Sequence, residues 1–175
     1  MKRYHPALVA LHWLLALMIG GALIIGSQIM AETPNSDPAK IGMLRNHMII
    51  GIAILVLMII RLVVRLRSKT PPQADAGHPA LNTLGAETHR ALYIIIFLMV
   101  ASGMGISILA GLPDIVFFGS GAPLPQTFNG LLPRSAHGVL AKLLAVLIVG
   151  HAAAALYHQF VRKDGLLSRM WFGKR

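Results

Sequence analysis

The sequence contains no cysteine. That absence excludes disulfides, thiolate zinc sites, iron–sulfur clusters and covalent haem attachment through a CxxCH motif, so any metal must be held by histidine. Charge is scarce as well: 13% of the 175 residues are charged and only 6 are acidic, against 55% hydrophobic. Such a chain is too apolar for an ordinary soluble domain of its length. It has no GxGxxG, P-loop or HExxH motif and no internal repeat, so no nucleotide or flavin domain is expected on it.

What the sequence does have is long uncharged runs. They occupy about Ala7–Met30, His47–Ile60 with an apolar approach from Ile41, Ala91–Leu112 and His137–Val161, each near the ~20 residues that a spanning helix needs. They predict an all-α membrane protein, a single domain over residues 1–175 with four transmembrane helices at about 7–30, 41–66, 89–112 and 136–161. Lys2 and Arg3 precede the first run as in a signal peptide. The run exceeds a signal h-region in length, however, and shows no convincing small-residue cleavage site before Glu32, so it is read as a retained helix. The segments ETPNSDP, TPPQADAGHP and GLPDIVFFGSGAPLPQTFNGLLP separate the runs. The last, with Phe117, Phe118 and Phe128, is expected to lie against the outer membrane surface as a cap.

Of the 16 basic residues, Lys2, Arg3, Arg61, Arg65, Arg67, Lys69, Arg90, Arg162, Lys163, Arg169, Lys174 and Arg175 fall on one side of the predicted membrane. Lys40, Arg45 and Arg134 fall on the other, and Lys142 lies inside the fourth run. By the positive-inside rule both termini and the Arg61–Arg90 loop are expected to be cytoplasmic, in a multi-pass protein of the inner membrane. Asp75, Glu87 and Asp164 share that side, while Glu32, Asp37 and Asp114 are outside, so the net +10 belongs almost wholly to the cytoplasmic face. Topology and attraction to anionic membrane lipid account for it, and nucleic-acid binding needs no separate hypothesis.

The eight histidines are the chemically informative residues. A helix turns about 100° and rises about 1.5 Å per residue, so His137 and His151 share a stripe about 21 Å apart in depth. His158 lies close to the same stripe near the cytoplasmic interface. By depth, His47 of the second run matches His137 and His12 of the first matches His151, while His89 and His158 form a shallower third level. Facing imidazoles at one depth, repeated at a second, are the arrangement that holds two b-type haems by bis-histidine ligation in a helix bundle. Gly51, Gly103, Gly105, Gly138, Gly150 and Ala152–Ala155 would let flat macrocycles approach the backbones, although close helix packing explains any one of them equally well. A hydrogen-bonded packing histidine is likewise the alternative for any one imidazole. His5 and His78, beside Pro6 and Pro79, are given no role.

The stretches LHWLLAL (Leu11–Leu17), NHMIIGIAILVLMIIRLVVRL (Asn46–Leu66), THRALYIIIF (Thr88–Phe97) and HGVLAKLLAVLIVGHAAAALYHQF (His137–Phe160) resemble the bacterial cytochrome b561 family. They are most similar to its superoxide oxidase (superoxide:ubiquinone oxidoreductase) branch. The resemblance covers nearly the whole chain, and GHAAAALYH is its most specific part. It implies a four-helix bundle with an outer haem b on His47 and His137 and an inner haem b on His12 and His151. It also implies periplasmic superoxide as the electron donor and ubiquinone as the acceptor, with His89 and His158 at the quinone pocket. Arg61 shares a face with His47 and lies about 21 Å deeper. Its alternatives are an inner haem propionate, the quinone headgroup or a topology-setting charge. Arg45, Arg134 and Lys40 are candidates for attracting the superoxide anion. Lys142, off the ligand stripe, is expected to snorkel outward or to meet an outer propionate.

Two other functions compete with this one. A cytochrome b subunit would carry electrons between a partner dehydrogenase or hydrogenase and quinone with the same bundle, but the short, apolar outer loops offer little docking surface. A histidine-lined proton or metal transporter would require acidic partners within the spans, and there are none.

Overall fold

The computed structural model describes residues 3–72 and 74–172. Lys2, Lys174 and Arg175, counted in the charge asymmetry above, lie outside the described residues. Four long helices emerge: α1 (Pro6–Ile24), continued to Met30 by a π-helical turn; α2 (Ala39–Arg67); α3 (Pro79–Leu109); and α5 (Leu132–Tyr157), continued by a π-helical turn to Arg162. All four are long and apolar enough to span a bilayer, with mean hydropathies of 2.2 to 2.7. A short α4 (Leu112–Val116) and a 3-10 turn (Leu166–Met170) complete the chain.

Local chemistry sets the starts of these helices. Pro6, Pro79 and Pro133 stand in first turns, where the missing N–H costs nothing. The two histidines given no role are N-caps: Nδ1 of His5 accepts from the Ala7 N–H at 3.3 Å, and Nδ1 of His78 from the Ala80 N–H at 3.2 Å. The His78 cap explains why α3 begins at Pro79 rather than near 89. A polar stretch read as loop is instead helical, because capping and helix propensity act independently of the membrane boundary.

The helices associate as two pairs, α1 with α2 and α3 with α5, joined less extensively through α2 and α3. A layer of Leu15, Ile19, Ile54, Met58, Ile96 and Leu144 fills the middle. Leu144 is 2% exposed, whereas Val146 and Val149 on the same helix are 70% and 69% exposed, as befits a lipid-facing surface.

Both ends of the bundle are closed by polar ties. At the end opposite the termini, Leu44, Leu112 and Val116 form a second cluster joined by Phe128. Arg45 donates to the Val116 carbonyl through Nε (2.9 Å) and Nη2 (2.7 Å). The expected cap over this end is therefore partly folded, though Phe118 stays 78% exposed. At the terminal end, Trp13 Nε1 donates to the Met170 carbonyl (2.8 Å) and stacks edge-on with Trp171. Arg162 and Arg169 reach the carbonyls of Ala76 and Pro72.

At that end His158 Nδ1–H donates to Asp164, whose turn is completed by left-handed Lys163 and Gly165. Partial burial pushes the Asp164 carboxyl up, but hydrogen bonds from His158 and the Leu166 N–H, with Arg162 nearby, hold it below its usual value. A depressed carboxyl stabilises the fold above its ordinary 3.8, and that contribution is lost as pH falls through the folded value. Asp164→Asn should therefore speed proteolysis of the C-terminal segment at neutral pH, and limited digestion should show the gap to wild type closing in acid. Leu144→Ala should destabilise the bundle by about 2–5 kcal/mol through the cavity it leaves, read as a lower melting temperature in detergent.

Candidate functional site

Imidazoles face one another across the seam between the two helix pairs, at two depths. Near the end opposite the termini, His47 of α2 meets His137 of α5 with ring centres 6.2 Å apart and planes at 73°. Near the terminal end, His12 of α1 meets His151 of α5 at 6.2 Å and 72°. These are the pairs expected from depth, and they are called the far and near pairs below. A metal bonded to one nitrogen of each ring at about 2 Å would set the ring centres about 6 Å apart. Both pairs fit that spacing.

A half-open cleft, with about 860 Å³ of atom-free space counting its open mouth, lies beside the far pair, lined by both imidazoles and by apolar side chains such as Ile19, Ile96 and Leu144. Its lining suits a largely apolar cofactor. Gly51 and Gly103 lie in its wall. A Cβ on Gly103 would stand 3.3 Å from His137 Cε1, so the bare backbone is what admits the ring. Gly105 does something else: a Cβ there would stand 3.1 Å from the Pro133 ring, which packs against its open face. One turn along α3 from His89, the Tyr93 hydroxyl is buried without a hydrogen-bond partner among the described residues, and the Arg65 guanidinium stacks on its ring at 5.7 Å. A buried phenol without an acceptor is costly, which suits a bound group that brings an acceptor oxygen.

The third level differs from the one expected. His89 does not pair with His158; its ring lies 5.1 Å from that of His151, and its Nδ1–H donates to the Gly85 carbonyl at 2.8 Å. That separation is too short to hold a metal between the rings, so His89 is a neighbour of the near pair. The reason is rotational: α3 packs most extensively on α5 and sets His89 beside His151, with its ring still exposed. His158 is buried at 8% exposure and tied to Asp164. Among the described residues, no group of three or more His, Asp or Glu side chains could hold a metal ion.

The cations are more committed than their sequence suggests. Lys40, a candidate for attracting an anion, is only 5% exposed, with its amine bonded to the carbonyls of Met30 and Thr33. It lies adjacent to the end of α1, where free carbonyls and the helix dipole favour a cation. Arg45 is anchored on Val116, while Arg134 takes no acceptor among the described residues and reaches over Gly138 beside His137. Arg61 Nη1 donates to the Leu8 carbonyl at 2.6 Å, one turn from His12. Lys142 is exposed on the lipid-facing surface. Ser102 and Met99, both beside His137, carried no motif and were invisible in the sequence, and Tyr93 lay in the THRALYIIIF stretch without being singled out.

Imidazoles facing in pairs inside a bundle of apolar helices are the arrangement expected of a membrane electron-transfer protein with b-type haem. The chain belongs to the prokaryotic cytochrome b561 family, whose sequence model, described as "Prokaryotic cytochrome b561", matches residues 3–173. It is similar to the "Probable superoxide oxidase CybB" of Yersinia pestis, 32% identical over 99% of this chain and 98% of that one. It is 31% identical to "Cytochrome b561 homolog 2" of Escherichia coli K12, over 97% of this chain and 91% of the relative. "Cytochrome b562" of Cereibacter sphaeroides is 28% identical over 93% and 90%. The chain is thus a multi-pass protein of the bacterial inner membrane.

Gly103→Ala should crowd His137 and lower haem retention, measured as haem-to-protein ratio and as a shift of the reduced α-band. Gly20→Ala, where nothing lies within 4 Å of the added carbon, should leave both unchanged.

Proposed function

We propose that this protein is a superoxide:ubiquinone oxidoreductase holding two b-type haems, with both termini in the cytoplasm. His47 and His137 would hold the haem nearer the periplasm, and His12 and His151 the one nearer the cytoplasm. The observation that carries this reading is the recurrence of one facing geometry, 6.2 Å between ring centres, at two depths. A b-type haem bound between such imidazoles would supply one-electron transfer.

In the balanced reaction, two superoxide anions each lose one electron to become dioxygen, and those electrons with two protons convert ubiquinone to ubiquinol. The chain's own residues serve each part. Arg134 and the anchored Arg45 place positive charge at the periplasmic end, which favours approach of an anion. The apolar lining of the far cleft keeps water from the path. At the cytoplasmic end, His89 and His158 are the proposed hydrogen-bond partners of the quinone. The Asp164 contact orients the His158 ring, leaving its Nε2 to exchange a proton. Arg61, held on the first turn of α1, sets a cation where a propionate or a quinone oxygen would pair. The name of the Yersinia relative supports superoxide as the donor.

Stopped-flow mixing of purified, oxidised protein with superoxide should reduce haem within the mixing experiment, and added ubiquinone should reoxidise it. Haem that superoxide leaves oxidised, but that a co-purifying dehydrogenase reduces, would move the function to a partner-fed cytochrome subunit. His158→Ala should keep the full haem complement while slowing reoxidation by ubiquinone; wild-type reoxidation would remove His158 from the quinone site.

A further inference from the structure

His137 is the one imidazole of the two facing pairs whose ring nitrogen meets a protein acceptor among the described residues. Its Nδ1 lies 3.1 Å from the Met99 carbonyl and 2.9 Å from Ser102 Oγ. A carbonyl has no proton to give, so Nδ1 must carry the hydrogen, which leaves the lone pair on Nε2. The Ser102 hydroxyl donates to the same Met99 carbonyl at 2.8 Å, so its oxygen offers a lone pair to Nδ1–H. Both acceptors come from one turn of α3, and the next residue, Gly103, supplies the bare backbone against which Cε1 rests.

We infer that Ser102 is a positioning residue of α3 that, beside the Met99 carbonyl that sets the tautomer, fixes the rotation of His137 and strengthens it as an electron donor to the metal it ligates. This inference rests on the proposed ligation by His137. A hydrogen bond from the remote N–H of a ligating imidazole gives the ring imidazolate character and stabilises the oxidised metal. His47 has no such backing, so the far pair joins a strong donor to an ordinary one, and the bond lowers the potential of that centre alone. The serine is well suited to the task. Its own proton is spent on the helix backbone, as is common for serine in helices, and cannot compete for Nδ1.

The test uses the purified haem-loaded protein and its Ser102→Ala, Ser102→Thr and His137→Ala variants, read by haem-to-protein ratio, by electron paramagnetic resonance of the oxidised form and by potentiometry. Ser102→Ala should favour reduction of one haem by about threefold to tenfold, the upper figure being ~59 mV for one electron. Its low-spin signal should shift while the second haem is unmoved, and Ser102→Thr, which keeps the hydroxyl, should restore both readings. If Ser102→Ala instead loses one haem that Ser102→Thr retains, the positioning role is also supported. Wild-type potentials and spectra in Ser102→Ala, with one haem lost in His137→Ala, would overturn the inference and leave the ligation standing. A full haem complement in His137→Ala would overturn the ligation itself, and this inference with it.

Discussion

The separation of about 6 Å between facing imidazole centres is the constraint around which the bundle is arranged. Rings at that distance cannot touch, so helices that carry them must stand apart by the thickness of whatever sits between. The chain meets the requirement by packing its helices tightly in two pairs and leaving the seam between pairs open. Gly51 and Gly103 thin the wall there, and the midplane layer around Leu144 holds the pairs together between the two levels. In lipid the helices gain little from apolar burial against each other, because the surrounding solvent is equally apolar. Specific ties at the two ends therefore carry more of the assembly than they would in a soluble bundle.

Those ties draw on the excess of positive charge. With 16 basic and 6 acidic residues, most cations have no carboxylate to meet, and many are spent on backbone carbonyls. Lys40 takes those at the end of α1, Arg45 that of Val116, Arg61 that of Leu8, Arg162 and Arg169 those of Ala76 and Pro72. Lys40 and Arg45 sit at C-terminal helix ends, where carbonyls have no intrahelical partner and the helix dipole favours a cation, whereas Leu8 lies in the first turn of α1 and Ala76 and Pro72 lie outside the helices. The same residues that bias orientation in the membrane thus also close the bundle.

The four spans were legible because length and hydropathy are properties of each helix alone. So were the two imidazole pairs. Depth follows from residue count, and the spacing of 14 between His137 and His151 fixes a common face on one rigid helix. The place of His89 was not legible, because it depends on how α3 is rotated against α5, which no count along α3 reveals. Lys40 misled for a similar reason. In sequence it is a charge in an outer loop, whereas in the fold it is folded under the end of α1. The roles of His5 and His78 as caps were signalled by the following prolines, which mark first turns.

Helix α3 contributes to neither facing pair, yet it touches both. It runs antiparallel to α5, its closest partner, so that Ser102 and Met99 fall beside His137 while His89 falls beside His151. The thirteen residues from His89 to Ser102 rise about 20 Å, nearly the same as the rise from His137 to His151. One helix thus supplies a neighbour to the α5 imidazole at each level. The neighbours differ in kind. At the far level they are acceptors that lock one tautomer, and at the near level the neighbour is a third imidazole that can itself exchange a proton. Under the proposed function protons are consumed only where quinone is reduced, and the asymmetry suits that need: His137 has its Nδ1 committed to acceptors, while His89, whose Nδ1–H is held by Gly85, brings a further ring nitrogen beside the near pair. The difference between the two ends is set by a helix with no place in either facing pair.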